Sequence, residues 1–512
     1  MALSDFLTTR ANGAVQRRCF SRAKQTGAAV LAYDELRGSE GRRVWYRPPR
    51  YEAQKLFPGR APRVCFRSRS YILQNISLGG VAAVSKEAPE QIPEVGAVLP
   101  LQIQQGGLTI FESQARVCRA EQTVFGSRVA LNFVDSFVDF DKLINRNAQA
   151  QIATRTWSYS QATTRVAAEY RAFVADALSL LRSHNAILAR NKDAAGQLQH
   201  VFDATGAFEA CEAQLVPEWR HIWETGNQFA RAAMGDREIR EATKAITELV
   251  LTPEMRLGAI WDRSYAKPMG YPGDFQIMNQ VYDWERRGNT VYEMLMHRIG
   301  LDVAECIKTR MEVVQEHIAE TVFAEGREQA ARIMSLGSGP AREVELFLKG
   351  VCNTGGHADF TLIDQEEDAL RYASEKTYPH LLRLAGRYNV QCLNMSFTDI
   401  LRGTSGLSTL QSQDLIYSVG LLDYLTDRRA LGLVHRLYSQ LAPGGLLIIG
   451  NMNETALSNL WPMEFLADWT LEYRNEAQML RWVEGLDTAE RWTETERTGR
   501  VRLLFARKPC QS

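Results

Sequence analysis

The stretch Arg332-Ile-Met-Ser-Leu-Gly-Ser-Gly-Pro-Ala-Arg342 decides the fold of the C-terminal part of this chain. An apolar run, Ile333–Leu336, meets Gly337-x-Gly339, then Pro340 at a position suited to the first turn of a helix, then the amphipathic Val344–Leu348. Strand, tight turn and helix in that order let the backbone approach a ligand closely and leave N–H groups at the helix start unpaired. A tight turn with no ligand would use the same two glycines.

Asp364 follows a second apolar run, Phe360–Ile363, 27 positions after Gly337. A carboxylate at a strand end can accept both hydroxyls of a ribose; the same residue could cap a helix over Glu366–Ala373. Further apolar runs at Leu415–Ser418 and Leu446–Ile449 alternate with helical stretches. That alternation predicts a parallel sheet covered on both faces, with ligands beyond the carboxyl ends of its strands. Leu422-Asp423-Tyr424 follows one strand, and Leu441-Ala-Pro-Gly-Gly445 introduces another that ends at Asn451.

These residues resemble class I S-adenosylmethionine-dependent methyltransferases over about Ala331–Lys508. The resemblance implies a Rossmann-like α/β domain binding S-adenosyl-L-methionine through Ser335, Gly337, Ser338, Gly339, Asp364, Gln365, Ser396, Asp423 and Asn451. Ser335 stands where the family usually carries an acid near the methionine moiety, and Ala341 replaces the third glycine. A dehydrogenase would share the fold, but the Pro-Gly-Gly turn favours methyl transfer. The stretches Ala266–Asp274, Ser335–Glu343, Leu362–Asp368, Gly420–Tyr424 and Trp469-x-Leu-x-Tyr473-Arg474 together look like bacterial methyltransferases that make 3-hydroxy fatty acid methyl esters, the 3-hydroxypalmitate type of quorum-sensing signal. That narrower resemblance covers roughly residues 200–508.

Methyl transfer from a sulfonium is an in-line displacement that gains most from positioning. A carboxylate acceptor is already ionised at pH 7, so it asks for no strong base and no metal. Donors must still orient it while an acyl tail lies in an apolar channel. Tyr424, Asn451, Tyr473, Arg474, Tyr271 and Lys267 are the candidate donors, with Tyr424 and Arg474 expected to be catalytic. Tyr271-Pro-Gly273-Asp274 predicts a type II turn with Asp274 capping a helix over Phe275–Arg286. The resemblance makes Lys267, Tyr271, Gly273 and Asp274 part of a lid, although turn and cap alone explain their residue types.

Upstream the period changes twice. Val64–Phe66, Tyr71–Asn75, Val81–Ser85, Val98–Gln104, Gln114–Ala120 and Arg128–Phe133 read as short strands of a small β barrel or sandwich. Asn75-x-Ser77-x-x-Gly80 within it resembles a PilZ domain, which implies cyclic di-GMP bound with an Arg-x-x-x-Arg motif. Arg43/Arg47 fits that motif, as do Arg18/Arg22 and Arg63/Arg67, and a PilZ-like module kept only for protein contact remains open. From Val166, Tyr170, Phe173, Ala177 and Leu181 onward the period is helical, up to a long helix carrying Val303–Val322 that should stop at Gly326. The resulting division is an extension (1–40), a PilZ-like barrel (41–137), a helical connector (138–250), a helical lid (251–326) and the methyltransferase domain (327–510).

Composition excludes more than it assigns. Sixty Lys+Arg balance sixty Asp+Glu over 512 residues, so no strongly basic surface for DNA or RNA is expected. No apolar run approaches the roughly 18 residues of a membrane span. Eight scattered cysteines without a C-x-x-C predict reduced thiols and a cytoplasmic location, while the resemblance implies an enzyme acting on a small, fatty-acid-type substrate. The first residues lack the apolar core of a secretory signal, although their arginines and few acids share the composition of a transit peptide. A methyltransferase for another small acid or a hydroxyl is the alternative within the enzyme class, and a non-catalytic cyclic di-GMP effector that keeps the sheet as a scaffold is the reading from another class, with Ser335 in its favour.

Overall fold

The computed structural model describes residues 49–57, 61–67, 69–85, 93–123, 126–190, 204–351, 355–403, 407 and 410–510. The chain divides into two compact units, Met1–Trp157 and Ser158–Ser512.

The first unit is an antiparallel barrel. Strands β1 (Tyr51–Glu52), β2 (Arg63–Phe66), β3 (Arg69–Ser77), β4 (Gly80–Ser85), β5 (Val98–Gln105), β6 (Leu108–Thr123) and β7 (Gly126–Phe133) run in the order β1-β3-β2-β5-β6-β7-β4. A β3–β4 pairing closes six of them into a ring. Alternate residues point inward, so Leu99, Leu101 and Ile103 of β5 meet Val64, Tyr71 and Val117 in one apolar core. One strand precedes the expected start at Val64: Tyr51 and Glu52 pair with Ile76 and Asn75. Two residues carry no alternation to read, and the barrel therefore begins only four positions after Arg47.

Helix α1 (Phe140–Arg165) contains the division between the units. The second unit then runs through α2 (Ala168–Arg190), α3 (Ala204–Met234), α4 (Arg237–Val250), α5 (Ala259–Ala266), α6 (Phe275–Asp283) and α7 (Val291–Val322). Burial of Tyr170, Ala177 and Leu181, and of Val303, Ile307, Met311, Val314, Ile318 and Val322, follows their helical spacing. Helix α6 is capped by Asp274 and stops at Asp283 because Trp284 turns left-handed at φ +53°. Helix α7 ends at Val322, so Gly326, at φ +75°, belongs to the following turn and is not its cap.

A seven-stranded sheet follows, formed by β8 (Ala331–Leu336), β9 (Ala358–Asp364), β10 (Tyr388–Asn394), β11 (Gln413–Ser418), β12 (Leu441–Met452), β13 (Glu490–Thr495) and β14 (Val501–Arg507). Its order is β10-β9-β8-β11-β12-β14-β13, parallel from β10 to β12 and antiparallel beyond. Helices α8 (Arg342–Gly350) and α9 (Glu367–Arg383) share an apolar core with α2–α7 and one face of the sheet. Helix α10 (Asp427–Ser439) covers the other face, packing Leu433, Val434 and Leu437 on Met334, Ile416 and Leu447. Chain order reverses where β8 lies between β9 and β11, which opens a crevice beyond the carboxyl ends of those strands. Among the described residues no helix is long and apolar enough to cross a membrane.

Candidate functional site

The bend after β8 curls around the end of β9. Gly337 N and Ser338 N donate to Ile363 O at 2.8 and 3.1 Å, while Gly339 N donates to Asp364 Oδ2 at 2.8 Å. Gly337, Gly339 and Ala341 have φ of +67°, +52° and +49°. Two glycines accept this freely; Ala341, fully buried, holds it at a cost of about 1–2 kcal/mol. Helix α8 begins at Arg342 with Ala341 as its N-cap, so Pro340 lies before the first turn and not within it. The other Asp364 oxygen accepts from Glu366 N at 2.9 Å, and α9 starts one residue later with no side-chain cap. Asp364 therefore faces the bend and also steadies the approach to α9. Each carboxylate oxygen keeps a second lone pair for a ligand donor.

This bend forms one end of a cavity of about 310 Å³. Ser335, Gly337, Ser338, Gly339, Asp364 and Gln365 line it beside Met395 and Phe397. Away from them the wall is mostly apolar, with Phe275 and Met278 of α6, Ile307, Met311 and Val314 of α7, then Met463, Trp469 and Leu471, interrupted on α7 by Arg310. Desolvation holds the Asp364 carboxyl above its usual range, opposed by its three backbone N–H partners. The Ser338 hydroxyl is buried with no partner among the described residues.

Several residues expected at the site lie behind it. Arg474, 3% exposed, donates to Asp427 Oδ1 (2.7 Å), Leu422 O (3.1 Å), Asn451 Oδ1 (2.8 Å) and Leu425 O, and its guanidinium stacks on Trp482. It does not line the cavity, because these fixed acceptors take its fork. Asn451 completes that cluster by donating to Met452 O and Glu472 O. Ser396 forms a capping box with Asp399 on the helix Phe397–Arg402. Tyr473 buries a hydroxyl that has no partner among the described residues, away from the cavity lining.

Tyr424 and Asp423 do reach the cavity. The Tyr424 hydroxyl accepts from Trp469 Nε1 at 3.1 Å and donates to Pro272 O at 3.5 Å, which ties the rim to the 267–274 segment. Gly273, at φ +77°, lies so close that a Cβ there would meet Trp469 Cζ2 at 2.5 Å and Tyr424 Oη at 2.7 Å. Lys267 pairs with Asp468 at 2.7 Å, and Lys244 holds the same carboxylate. Asp274 is fully buried; it caps α6 and binds Arg263 at 2.9 Å, so its role is structural. Desolvation of the hydroxyls holds Tyr271 and Tyr424 above their usual range, although the Tyr424 side chain is 42% exposed, and both are neutral at pH 7. Asp423 accepts from Met452 N at 2.5 Å, and desolvation pushes its pKa up to about 6 against the field of Arg310.

Two charged cavity residues escaped sequence reasoning. Arg310 and Glu343 are 8% and 6% exposed. For Arg310 a signal existed: it falls three positions after Ile307 on the apolar stripe of α7, where a charge is out of place. Glu343 accepts from the Tyr417 hydroxyl at 2.8 Å, and Tyr417 lies opposite Ser335 in the β11–β8 register. Among the described residues no group of three His, Cys, Asp or Glu could hold a metal ion.

In the barrel, Asn75, Ser77 and Gly80 lie on the β3–β4 hairpin. Ser77 Oγ donates to Gly80 O at 3.2 Å, and Asn75 Oδ1 accepts from Arg50 at 3.3 Å. A Cβ on Gly80 would meet Leu131 O at 2.4 Å, so closure against β7 requires glycine there. Arg43 and Arg47 lie outside the described residues.

No family model and no curated protein matches the chain. Solved structures similar to it include a possible exported protein from Bordetella parapertussis, at 15% identity over 60% of this chain and 98% of that one, with a TM-score of 0.40. Magnesium protoporphyrin IX methyltransferase from Synechocystis PCC 6803, solved with S-adenosylhomocysteine bound, shows 14% identity over 48% of this chain and 98% of its own (TM-score 0.33). The N-methyltransferase NodS from Bradyrhizobium japonicum WM9 shows 17% identity over 40% and 97% (TM-score 0.28). At these scores the reading of the site rests on its own geometry.

Proposed function

We propose that the protein is an S-adenosylmethionine-dependent methyltransferase that esterifies the carboxylate of a 3-hydroxy fatty acid. One observation carries this reading: a single cavity joins the Gly337–Gly339 bend, with Asp364 turned onto it, to a long apolar wall from α6 and α7. The bend fits an adenosyl group on its own features, namely two left-handed glycines without side chains, the orphaned Ser338 hydroxyl and a strand-end carboxylate with lone pairs to spare. Bound there, the cofactor supplies an electrophilic methyl group. The chain's own contribution is positioning: Met278, Met311 and Met463 offer adaptable apolar surface for a tail, and the neutral Tyr271 hydroxyl, joined by Tyr424 once its proton turns from Pro272 O, can orient a carboxylate.

The test is to incubate the protein with S-adenosylmethionine and 3-hydroxy fatty acids of increasing chain length, and to seek methyl esters by mass spectrometry. Ester formation that rises with chain length supports the reading; no ester from any acid removes it. A second acceptor, a hydroxyl, is favoured by Asp423, whose pKa of about 6 suits a general base. An ether product resists mild alkali where an ester does not, so the same samples separate the two.

For the barrel (41–137) we propose a PilZ-like role, with cyclic di-GMP held by Arg43, Arg47, Asn75, Ser77 and Gly80. The supporting observations are the closed six-stranded ring and a first strand that starts four positions after Arg47. Regulation through helices 138–326 requires the nucleotide to prefer one state of the 267–274 segment. Equal activity with and without bound cyclic di-GMP would remove it. The six described cysteines are all free thiols, which suits the cytoplasm.

A further inference from the structure

Arg310 presents a problem that the proposed reaction leaves unsolved. Its side chain projects from the middle of α7, is more than nine-tenths buried and lines the cavity. Among the described residues it makes no hydrogen bond and no ion pair within 4.0 Å. A guanidinium largely withdrawn from bulk water into a cavity and left without a protein acceptor is unfavourable unless a ligand brings the anion.

The same cavity holds a buried charge of the opposite sign. Glu343, in the first turn of α8, is fixed by the Tyr417 hydroxyl at 2.8 Å, and Ser335 acts on that hydroxyl in turn. Glu343 and Arg310 feel one another's field, yet they do not close into an ion pair. A fork-shaped cation and a carboxylate held apart in one cavity complement an α-amino-acid zwitterion, its carboxylate on the fork and its ammonium on the acid. Asp423 also lines the cavity and, like Glu343, has one oxygen already held, by Met452 N, so Asp423→Asn in the titrations below separates the two acids.

We propose that Arg310 and Glu343 form a receptor for an α-amino-acid zwitterion, the methionyl end of the cofactor on the reading above. Glu343, reaching from α8 through Tyr417, takes the ammonium that a serine at position 335 cannot neutralise. The inference rests on the methyl-transfer reading, but its test is separable from it.

S-adenosylhomocysteine and 5′-methylthioadenosine share the adenosine and the thioether, and only the first carries the amino-acid end. Calorimetry of both ligands on the wild type, Arg310→Gln, Arg310→Lys, Glu343→Gln and Asp423→Asn reads the difference. The wild type should bind S-adenosylhomocysteine at least roughly tenfold more tightly than methylthioadenosine. Arg310→Gln and Glu343→Gln should each weaken S-adenosylhomocysteine roughly tenfold to a hundredfold while methylthioadenosine changes less than about threefold, which also shows that the variants fold. Arg310→Lys should retain part of the preference and Asp423→Asn all of it; a loss in Asp423→Asn with none in Glu343→Gln overturns the choice of acid. Equal affinity of the wild type for the two ligands, or equal losses for both in the variants, overturns the inference alone. An unchanged ligand preference in Arg310→Gln with a raised KM for the acid also overturns it and gives Arg310 to the substrate. Binding of neither ligand to the wild type overturns the methyl-transfer reading itself.

Discussion

Arg474 Nη1 donates to Asn451 Oδ1 at 2.8 Å, in a cluster that also ties down Leu422 O and Leu425 O. The guanidinium thereby joins the end of β12 to the turn after β11, two segments that together form the floor behind the cavity. Sequence spacing placed both residues among the substrate's donors; the geometry makes them its support.

Replacing Arg474 by methionine should therefore act through stability. Three backbone or amide acceptors lose a buried charged donor at once, which costs about 3–5 kcal/mol by the usual penalty for breaking a buried charged network. Urea unfolding should show the loss directly, and kcat should fall with the folded fraction. A stable Arg474→Met protein with a selectively raised KM would return the residue to the substrate site.

The rim gives a second prediction. An alanine at position 273 must adopt φ near +77° and place its Cβ within 2.7 Å of the Tyr424 hydroxyl. Relief requires the 267–274 segment to lift from Trp469, at a local cost of about 1–3 kcal/mol. Gly273→Ala should lower kcat/KM by roughly tenfold or more, with the global unfolding midpoint changed far less than in Arg474→Met. Unaltered kinetics would show that this segment does not shape the site.

Asp423 supplies a pH signature. Desolvation raises its folded pKa to about 6, above the ordinary 3.8, so the folded state binds the proton more tightly than the unfolded chain. Its contribution to stability is full below the unfolded value and is lost as pH rises through about 6, a difference on the order of 3 kcal/mol. Asp423→Asn keeps an acceptor for Met452 N without the charge. Its stability relative to the wild type should grow between pH 4 and pH 7 and then level off. A difference independent of pH would mean that the wild-type carboxyl titrates normally.

How much of this was legible in the sequence depends on whether the cause is local. The strand at Ile333–Leu336 and the cap at Asp274 are set by neighbours within a few residues, and they lie where spacing puts them. Strand β1 was missed because Tyr51 and Glu52 owe their strand state to pairing with Ile76 and Asn75, more than twenty positions away. Arg474 was misread for the same reason, since its acceptors come from Leu422, Leu425 and Asn451. Arg310 left a trace, a charge on the apolar stripe of α7, but only the packed cavity gives that trace a meaning.

Calorimetry of S-adenosylmethionine on the wild type and on Asp364→Ala tests the central claim most directly, because Asp364 holds Gly339 N and faces the same cavity. The account predicts binding to the wild type and a loss of about 1.5–3 kcal/mol in the variant, or roughly tenfold to a hundredfold in affinity. No binding to the wild type, or equal affinity in the two proteins, would contradict it.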